Sequence, residues 1–208
     1  MKKLFQITGA VTAWFAVILQ LYITMSLADS RLSEFIRYLS FMTIWTNIIV
    51  AVTYSSLLLN SERNLIGFFK THSVQSAVLV YIVIVGIIYH LYLSHVWNPK
   101  GAQYIADFFL HTFVPLFYLL YWFLFSEKIR LSYLKPFRWL IYPLVYIIYI
   151  LIKGVFTGAY PYPFINVSKL GYPMTFRNIV VIAGFYIIAG LILVTVNNII
   201  SAVKKKVD

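Results

Sequence analysis

The sequence predicts an all-α, polytopic membrane helix bundle of six transmembrane helices with both termini cytoplasmic, and three observations carry that prediction. First, 62% of the 208 residues are hydrophobic and only 11% are charged, where a soluble domain of this length carries roughly 25% charge. Second, six apolar runs, each of about the length that crosses a bilayer, fill most of the chain. They lie at about 4–28, 38–59, 74–97, 106–126, 137–153 and 175–200. Third, the charges sit between these runs and are shared unequally. Eleven basic residues (Lys2, Lys3, Arg63, Lys70, Lys128, Arg130, Lys135, Arg138 and Lys204 to Lys206) fall at the termini and in the even-numbered connections, against six on the other side (Arg31, Arg37, Lys100, Lys153, Lys169 and Arg177). That asymmetry is the positive-inside rule with both ends of the chain in the cytoplasm.

The same observations exclude several function classes. Short connections leave no room for a soluble domain, so residues 1–208 read as one membrane domain. The net charge of +11 belongs to a basic rim facing anionic lipid. No basic stripe exists outside the connections, so nucleic acid is not expected as a partner. The absence of cysteine removes disulfides, thiol catalysis and cysteine-based metal sites.

Taken in order, the first run follows Met1-Lys2-Lys3 and imitates a signal peptide, with Ser26-Leu27-Ala28 resembling a cleavage site. Its apolar stretch is too long for a secretory h-region of about 7–15 residues, so it reads as a retained first helix. It carries Gln20 and Thr24 in its outer half. The first external loop, Asp29 to Arg37, is short and charged, and the second helix runs inward with Thr43 and Asn47 one turn apart. The connection Asn60 to Ser73 contains Gly67-Phe68-Phe69, a segment suited to the membrane interface. The third helix ends in Tyr89-His90-Leu91-Tyr92-Leu93-Ser94-His95, and Asn98-Pro99-Lys100-Gly101 is a turn signal. The fourth starts near Ala106 and carries Asp107, His111 and Pro115; the fifth follows Pro136, carries Pro143 and exits at Lys153-Gly154. The longest loop, Gly154 to Met174, holds Tyr160-Pro161-Tyr162-Pro163-Phe164, and the sixth helix ends before Lys204. The two three-helix halves share no motif, which argues against an inverted-repeat transporter. The abundant Tyr and Phe at span ends read mostly as an aromatic belt.

Topology gathers the scattered polar residues. The second and fourth helices enter from outside, which puts Thr43 about five residues down, roughly 8 Å at 1.5 Å per residue, with His111 at a similar depth. The third leaves on that side, so His90 and His95 are in its outer part. Polar side chains within a span are costly and mark a functional site by default. Thr43 and Asn47 are i and i+4, as are Asp107 and His111, so each pair shares a helix face. A carboxylate beside an imidazole orients it, a hydroxyl facing that imidazole is an activated nucleophile, and an amide can donate to a developing oxyanion. These are the parts of an acyl-transfer site. Bland readings stand beside them. Membrane Ser and Thr commonly bond their own i−4 carbonyl, Asn47 can simply join two helices, and His90 and His95 suit an interface. Asp107 near a helix start suits the dipole. Lys153 either snorkels or clamps a substrate carboxylate. A metal is not expected: His90 and His95 are about 500° of helix apart, on different faces, and no zinc motif is present. No cofactor is implied.

These residues carry a resemblance. Phe41-Met42-Thr43, the run Asp107-Phe108-Phe109-Leu110-His111-Thr112-Phe113-Val114-Pro115, and Tyr160-Pro161-Tyr162-Pro163-Phe164 before the last helix resemble the androgen-induced-gene family of multi-helix membrane proteins. The resemblance covers most of the chain, in motif order and loop length. It implies a threonine hydrolase of fatty acid esters of hydroxy fatty acids, with Thr43 as nucleophile and His111 as base. The residue one turn before the histidine is Asn in the animal pattern and Asp107 here, and the compact chain resembles a bacterial branch, hence a bacterial plasma membrane. The expectation is therefore a lipid esterase near the outer face, with Thr43, His111 and Asp107 catalytic. Asn47, His90, Lys153, Tyr160 and Tyr162 would bind substrate, and Asn47 or Tyr162 would serve the oxyanion. The oligomeric state is left open. Two alternatives remain, a small-molecule or proton-coupled transporter and a non-enzymatic lipid-binding protein; the apolar look of the inner halves of the spans argues against the carrier.

Overall fold

All regular structure is helical in the computed structural model of this chain, which describes residues 1–26, 30–61 and 63–207. Leu27, Ala28 and Asp29, which bear on the cleavage-site resemblance and the start of the first external loop, lie outside the described residues. The run of spans that reads as one membrane domain is organised as two compact units, Met1–Lys128 and Ile129–Asp208.

The first unit contains α1 (Lys2–Ser26), α2 (Arg31–Tyr38), α3 (Met42–Leu58), α4 (Asn64–Lys70), α5 (His72–Ile88), α6 (Ala102–Phe108) and α7 (Val114–Phe125). A π turn, Tyr89–Leu93, prolongs α5, and another, Phe109–Phe113, joins α6 to α7 into one span. The second unit contains α8 (Lys135–Trp139), α9 (Ile141–Thr157), a 3-10 turn at Pro163–Ile165, and α10 (Val167–Val207). Among the described residues, five helical stretches are long and apolar enough to cross a membrane, or six if α2 and α3 count as one broken span.

That break departs from the unbroken second helix expected over 38–59. α2 and α3 meet at 73°. Phe41 is extended (φ −93°, ψ 124°), so the helix cannot continue through it. The polar backbone exposed at the break is met by side chains: Ser40 Oγ donates to the Ile36 carbonyl at 2.6 Å, and the Trp45 indole donates to the Leu39 carbonyl at 2.7 Å. Such partners are obligatory where lipid offers none. The last span also differs. It begins at Val167, breaks at Gly171 (φ 71°), a left-handed position with Pro173 two residues on, and runs through Lys204 to Lys206. The loop before it is correspondingly shorter than expected.

Close approach of helices organises the first unit. A Cβ on Gly9 of α1 would lie 2.4 Å from Tyr54 Cζ of α3, so this position accepts no side chain. Tyr54 is boxed in turn by Tyr118 and Tyr121, with ring centroids 5.2 and 5.1 Å away. Toward the other end of α1, Gln20 and Gln103 of α6 exchange two amide hydrogen bonds, at 3.3 and 2.8 Å. Tyr38 of α2 donates to the Val17 carbonyl at 2.9 Å. Exposed apolar residues on α1, among them Leu4, Val11, Phe15 and Ile18, form a face that hydrocarbon would cover.

The inner end of α5 and α7 is not apolar, contrary to expectation. His72, Gln75, Ser76 and Ser126 are all buried there. Ser126 Oγ donates to Gln75 Oε1 at 3.2 Å and lies 3.3 Å from His72 Nδ1; the Trp122 indole donates to Ser76 Oγ at 3.0 Å. Each group satisfies another, so this is a closed polar knot that packs two helices together.

Gly9→Ala is expected to destabilise the protein by about 1–3 kcal/mol through overpacking against Tyr54, read as a lower unfolding temperature in detergent. Gly184→Ala, where an added Cβ meets nothing within 4 Å, is the control, expected not to lower it because Ala favours helix over Gly.

Candidate active site

Thr43 occupies the first turn of α3, just past the break. An unbroken span over 38–59 would put a further turn of helix before it. This placement decides what its hydroxyl can reach. Thr46, Thr53 and Ser55 on the same helix each donate to their own i−4 carbonyl at 2.7–2.8 Å, the ordinary fate of such residues. Thr43 does not. The chain before it is extended at Phe41, and the Leu39 carbonyl already receives the Trp45 indole. Its Oγ1 lies instead 3.3 Å from His111 Nε2.

His111 is the middle residue of the second π turn. Pro115 explains much of that irregularity, because it lacks the N–H that an α-helix would donate to the carbonyl of residue 111. One residue earlier, the Val114 N–H reaches back to Phe109 and not to Leu110. The Leu110 carbonyl is thereby left without its usual donor, and Asn47 supplies one: its Nδ2 donates to Leu110 O at 3.2 Å and to Thr43 O at 2.9 Å. One fully buried amide thus links the backbone beside the imidazole to the backbone of the hydroxyl residue. α5 closes the third side through Gly86, where a Cβ would stand 3.2 Å from the His111 carbonyl.

Those two bonds use both amide hydrogens of Asn47. The role expected for Asn47 as an oxyanion donor is therefore corrected: it has no hydrogen left to give. Its Oδ1 is buried and has no hydrogen-bond partner, so an acceptor is what it has to spare.

The tautomer of His111 follows from its neighbours. Nδ1 lies 3.1 Å from the Asp107 carbonyl oxygen and 3.3 Å from Asp107 Oδ1. A carbonyl oxygen only accepts, so Nδ1 carries the proton and Nε2 presents its lone pair to the Thr43 hydroxyl. The imidazole ring also stacks on Tyr89, with centroids 3.9 Å apart and planes inclined by 11°. The Tyr89 hydroxyl donates to the other carboxylate oxygen, Asp107 Oδ2. Asp107 and Tyr89 are buried, and the His111 side chain is only 12% exposed. Ile44, Leu110, Phe41, Ile48 and Phe109, near the site residues in the chain, belong to one apolar cluster.

Thr43, Asp107 and His111 are therefore brought together. His90 is not among them: it is exposed, and its Nε2 lies 3.1 Å from Thr112 Oγ1. His95 is exposed beyond the first π turn. Lys153, Tyr160 and Tyr162 belong to the second unit. There Lys153 donates to the Ala159 carbonyl at 3.2 Å, the Tyr160 ring lies against Gly154, and Tyr162 stacks on Phe164 with centroids 5.2 Å apart. Among the described residues no three His, Asp or Glu side chains gather as a metal ion requires. Tyr89 is the site residue that the sequence does not announce. In the sequence it is one more aromatic at a span end; in the structure it follows the buried end of α5, three residues past Gly86.

No family model, curated protein or solved structure matches this chain, so what the site does rests on its geometry.

Replacing Asn47 by Leu, similar in volume, should leave the Leu110 carbonyl orphaned and cost about 1–3 kcal/mol of stability. Denaturation in mixed detergent micelles measures this, and wild-type stability in Asn47→Leu would show that the amide is not needed there.

Proposed function

We propose that this protein is an integral membrane lipid esterase in which Thr43 is the nucleophile and His111 the base. The observation that carries the reading is the contact of the Thr43 hydroxyl with His111 Nε2, made by the one threonine of three on α3 that does not bond its own helix. A hydroxyl on an imidazole whose far nitrogen faces a carboxylate is the arrangement of nucleophile, base and orienter found in acyl-transfer enzymes. An O···N separation of 3.3 Å suits a resting site that tightens on substrate.

The chemistry runs in two halves. As Thr43 Oγ1 attacks the ester carbonyl carbon, its proton passes to His111 Nε2, and the imidazolium faces Asp107. When the tetrahedral species collapses, the bond to the alcohol oxygen breaks and that oxygen takes the proton from His111. Water then attacks the threonyl ester, gives a proton to His111, and releases the fatty acid as Thr43 regains the proton. The first-turn N–H of Thr43 has no acceptor within its own helix, and a helix N-terminus favours developing negative charge. It takes the oxyanion role that Asn47 cannot.

Apolar residues flank the pair in the chain, Phe41 and Ile44 beside Thr43 and Phe109 and Leu110 beside His111, a setting that suits a lipid substrate. The substrate class is a long-chain fatty acid ester, of the hydroxy-fatty-acid ester type that the family resemblance suggests, and the enzyme acts near the outer face of a bacterial plasma membrane. A carrier would need polar groups open to passage at the opposite end, and the closed knot around His72 offers none.

A fluorophosphonate probe on the purified full chain tests the assignment. Labelling is expected on Thr43, abolished in Thr43→Ala and slowed by at least about 100-fold in His111→Gln. Undiminished labelling of Thr43→Ala would sink it.

A further inference from the structure

Tyr89 makes two contacts that a belt or packing tyrosine has no reason to combine. Its ring lies flat on the imidazole of His111, and its hydroxyl donates to the Asp107 oxygen that His111 does not use. A carboxylate held at one oxygen can still turn about its side-chain torsions, and a turn of Asp107 would remove Oδ1 from Nδ1. Held at both oxygens, it cannot. An imidazole likewise needs its plane fixed as well as its nitrogens placed, and the parallel phenol ring supplies that plane.

Local structure explains how the tyrosine gets there. Tyr89 begins the π turn of α5, where its carbonyl accepts the Ser94 N–H at 2.9 Å. It sits one turn beyond Gly86, the residue whose missing side chain lets α5 approach His111 and Pro115. π turns are uncommon and occur often at functional sites. Two of them flank this contact, one carrying Tyr89 and the other His111.

We infer that Tyr89 is a positioning residue: it acts on Thr43 through Asp107 and His111, locking the carboxylate and the ring in the orientation that makes Nε2 a base. The inference rests on the hydrolase reading for its kinetic consequence, and on the geometry alone for its structural one. As His111 becomes cationic during attack, the phenol face also stands against positive charge, an attractive arrangement.

The experiment uses the full chain in detergent, a p-nitrophenyl ester of a medium-chain fatty acid, and the rate of fluorophosphonate labelling. Tyr89→Phe keeps the stack and loses the hydroxyl; Tyr89→Leu loses both. Expected are drops in kcat and labelling rate of about 10-fold for the first and about 100-fold for the second, with KM unchanged. In an Asp107→Asn background, Tyr89→Phe should lower the rate by less than about 2-fold, because residues acting through one group are not additive. A merely structural tyrosine would lower both backgrounds alike. If Thr43→Ala is inactive while Tyr89→Phe matches wild type, or loses as much in the Asp107→Asn background as in the native one, the positioning role falls and the hydrolase reading stands. If Thr43→Ala keeps full activity, the hydrolase reading falls, and the His111 Nδ1–H resonance decides the matter separately. That signal, assigned by its loss in His111→Gln, must shift or broaden in Tyr89→Phe; an unchanged signal overturns the inference.

Discussion

A proline without a hydrogen to donate sets the terms for the first unit. Pro115 cannot continue the ladder behind His111, the backbone there takes a π turn, and the Leu110 carbonyl is left to find a partner elsewhere. In water such a carbonyl would bind solvent. Within a membrane span it must be met by protein, and the group that meets it is on α3. Asn47 therefore couples a defect in one helix to the first turn of another. That coupling adds to the apolar cluster shared by Ile44 and Leu110 in holding Thr43 beside His111, since the hydroxyl–imidazole contact is a single hydrogen bond of 3.3 Å.

The break before α3 has the complementary effect. Hydroxyls inside a membrane helix are normally spent on the helix itself, as Thr46, Thr53 and Ser55 show. A nucleophile must escape that use. Starting α3 at Met42, after an extended Phe41, leaves the Thr43 side chain above the regular ladder and able to turn outward to another helix. Thr43 and the two irregularities thus belong together: the break frees its hydroxyl from its own helix, and the π turn strands the carbonyl through which Asn47 ties the two helices.

Much of this is legible in the sequence, and the rest is hidden for physical reasons. The spans follow from hydrophobicity, and the pairing of Asp107 with His111 follows from helical spacing. The meeting of Thr43 and His111 follows from the direction in which their helices run. The break at 39–41 is not legible, because Leu39, Ser40 and Phe41 interrupt neither the apolar run nor the charge pattern. Asn47 is conspicuous in the sequence, but its task is not: whether an amide donates to substrate or to backbone depends on which carbonyls the π turn strands. Tyr89 is lost among 17 tyrosines, many of them at span ends, where an aromatic belt is the plain expectation. His72 and its partners escape notice because single polar residues near a cytoplasmic end look like interface, and only their burial together shows a knot.

The shortness of α3 carries a further consequence. Its 17 residues rise only about 26 Å at 1.5 Å per residue, while a typical hydrocarbon layer is about 30 Å thick. At the end bearing Thr43, α2 turns aside with Leu32, Phe35 and Ile36 exposed. Lipid must thin around this helix or lap over α2 to make up the difference. On the proposed reading, the Thr43 hydroxyl would then stand near the level at which lipid tails give way to their ester groups.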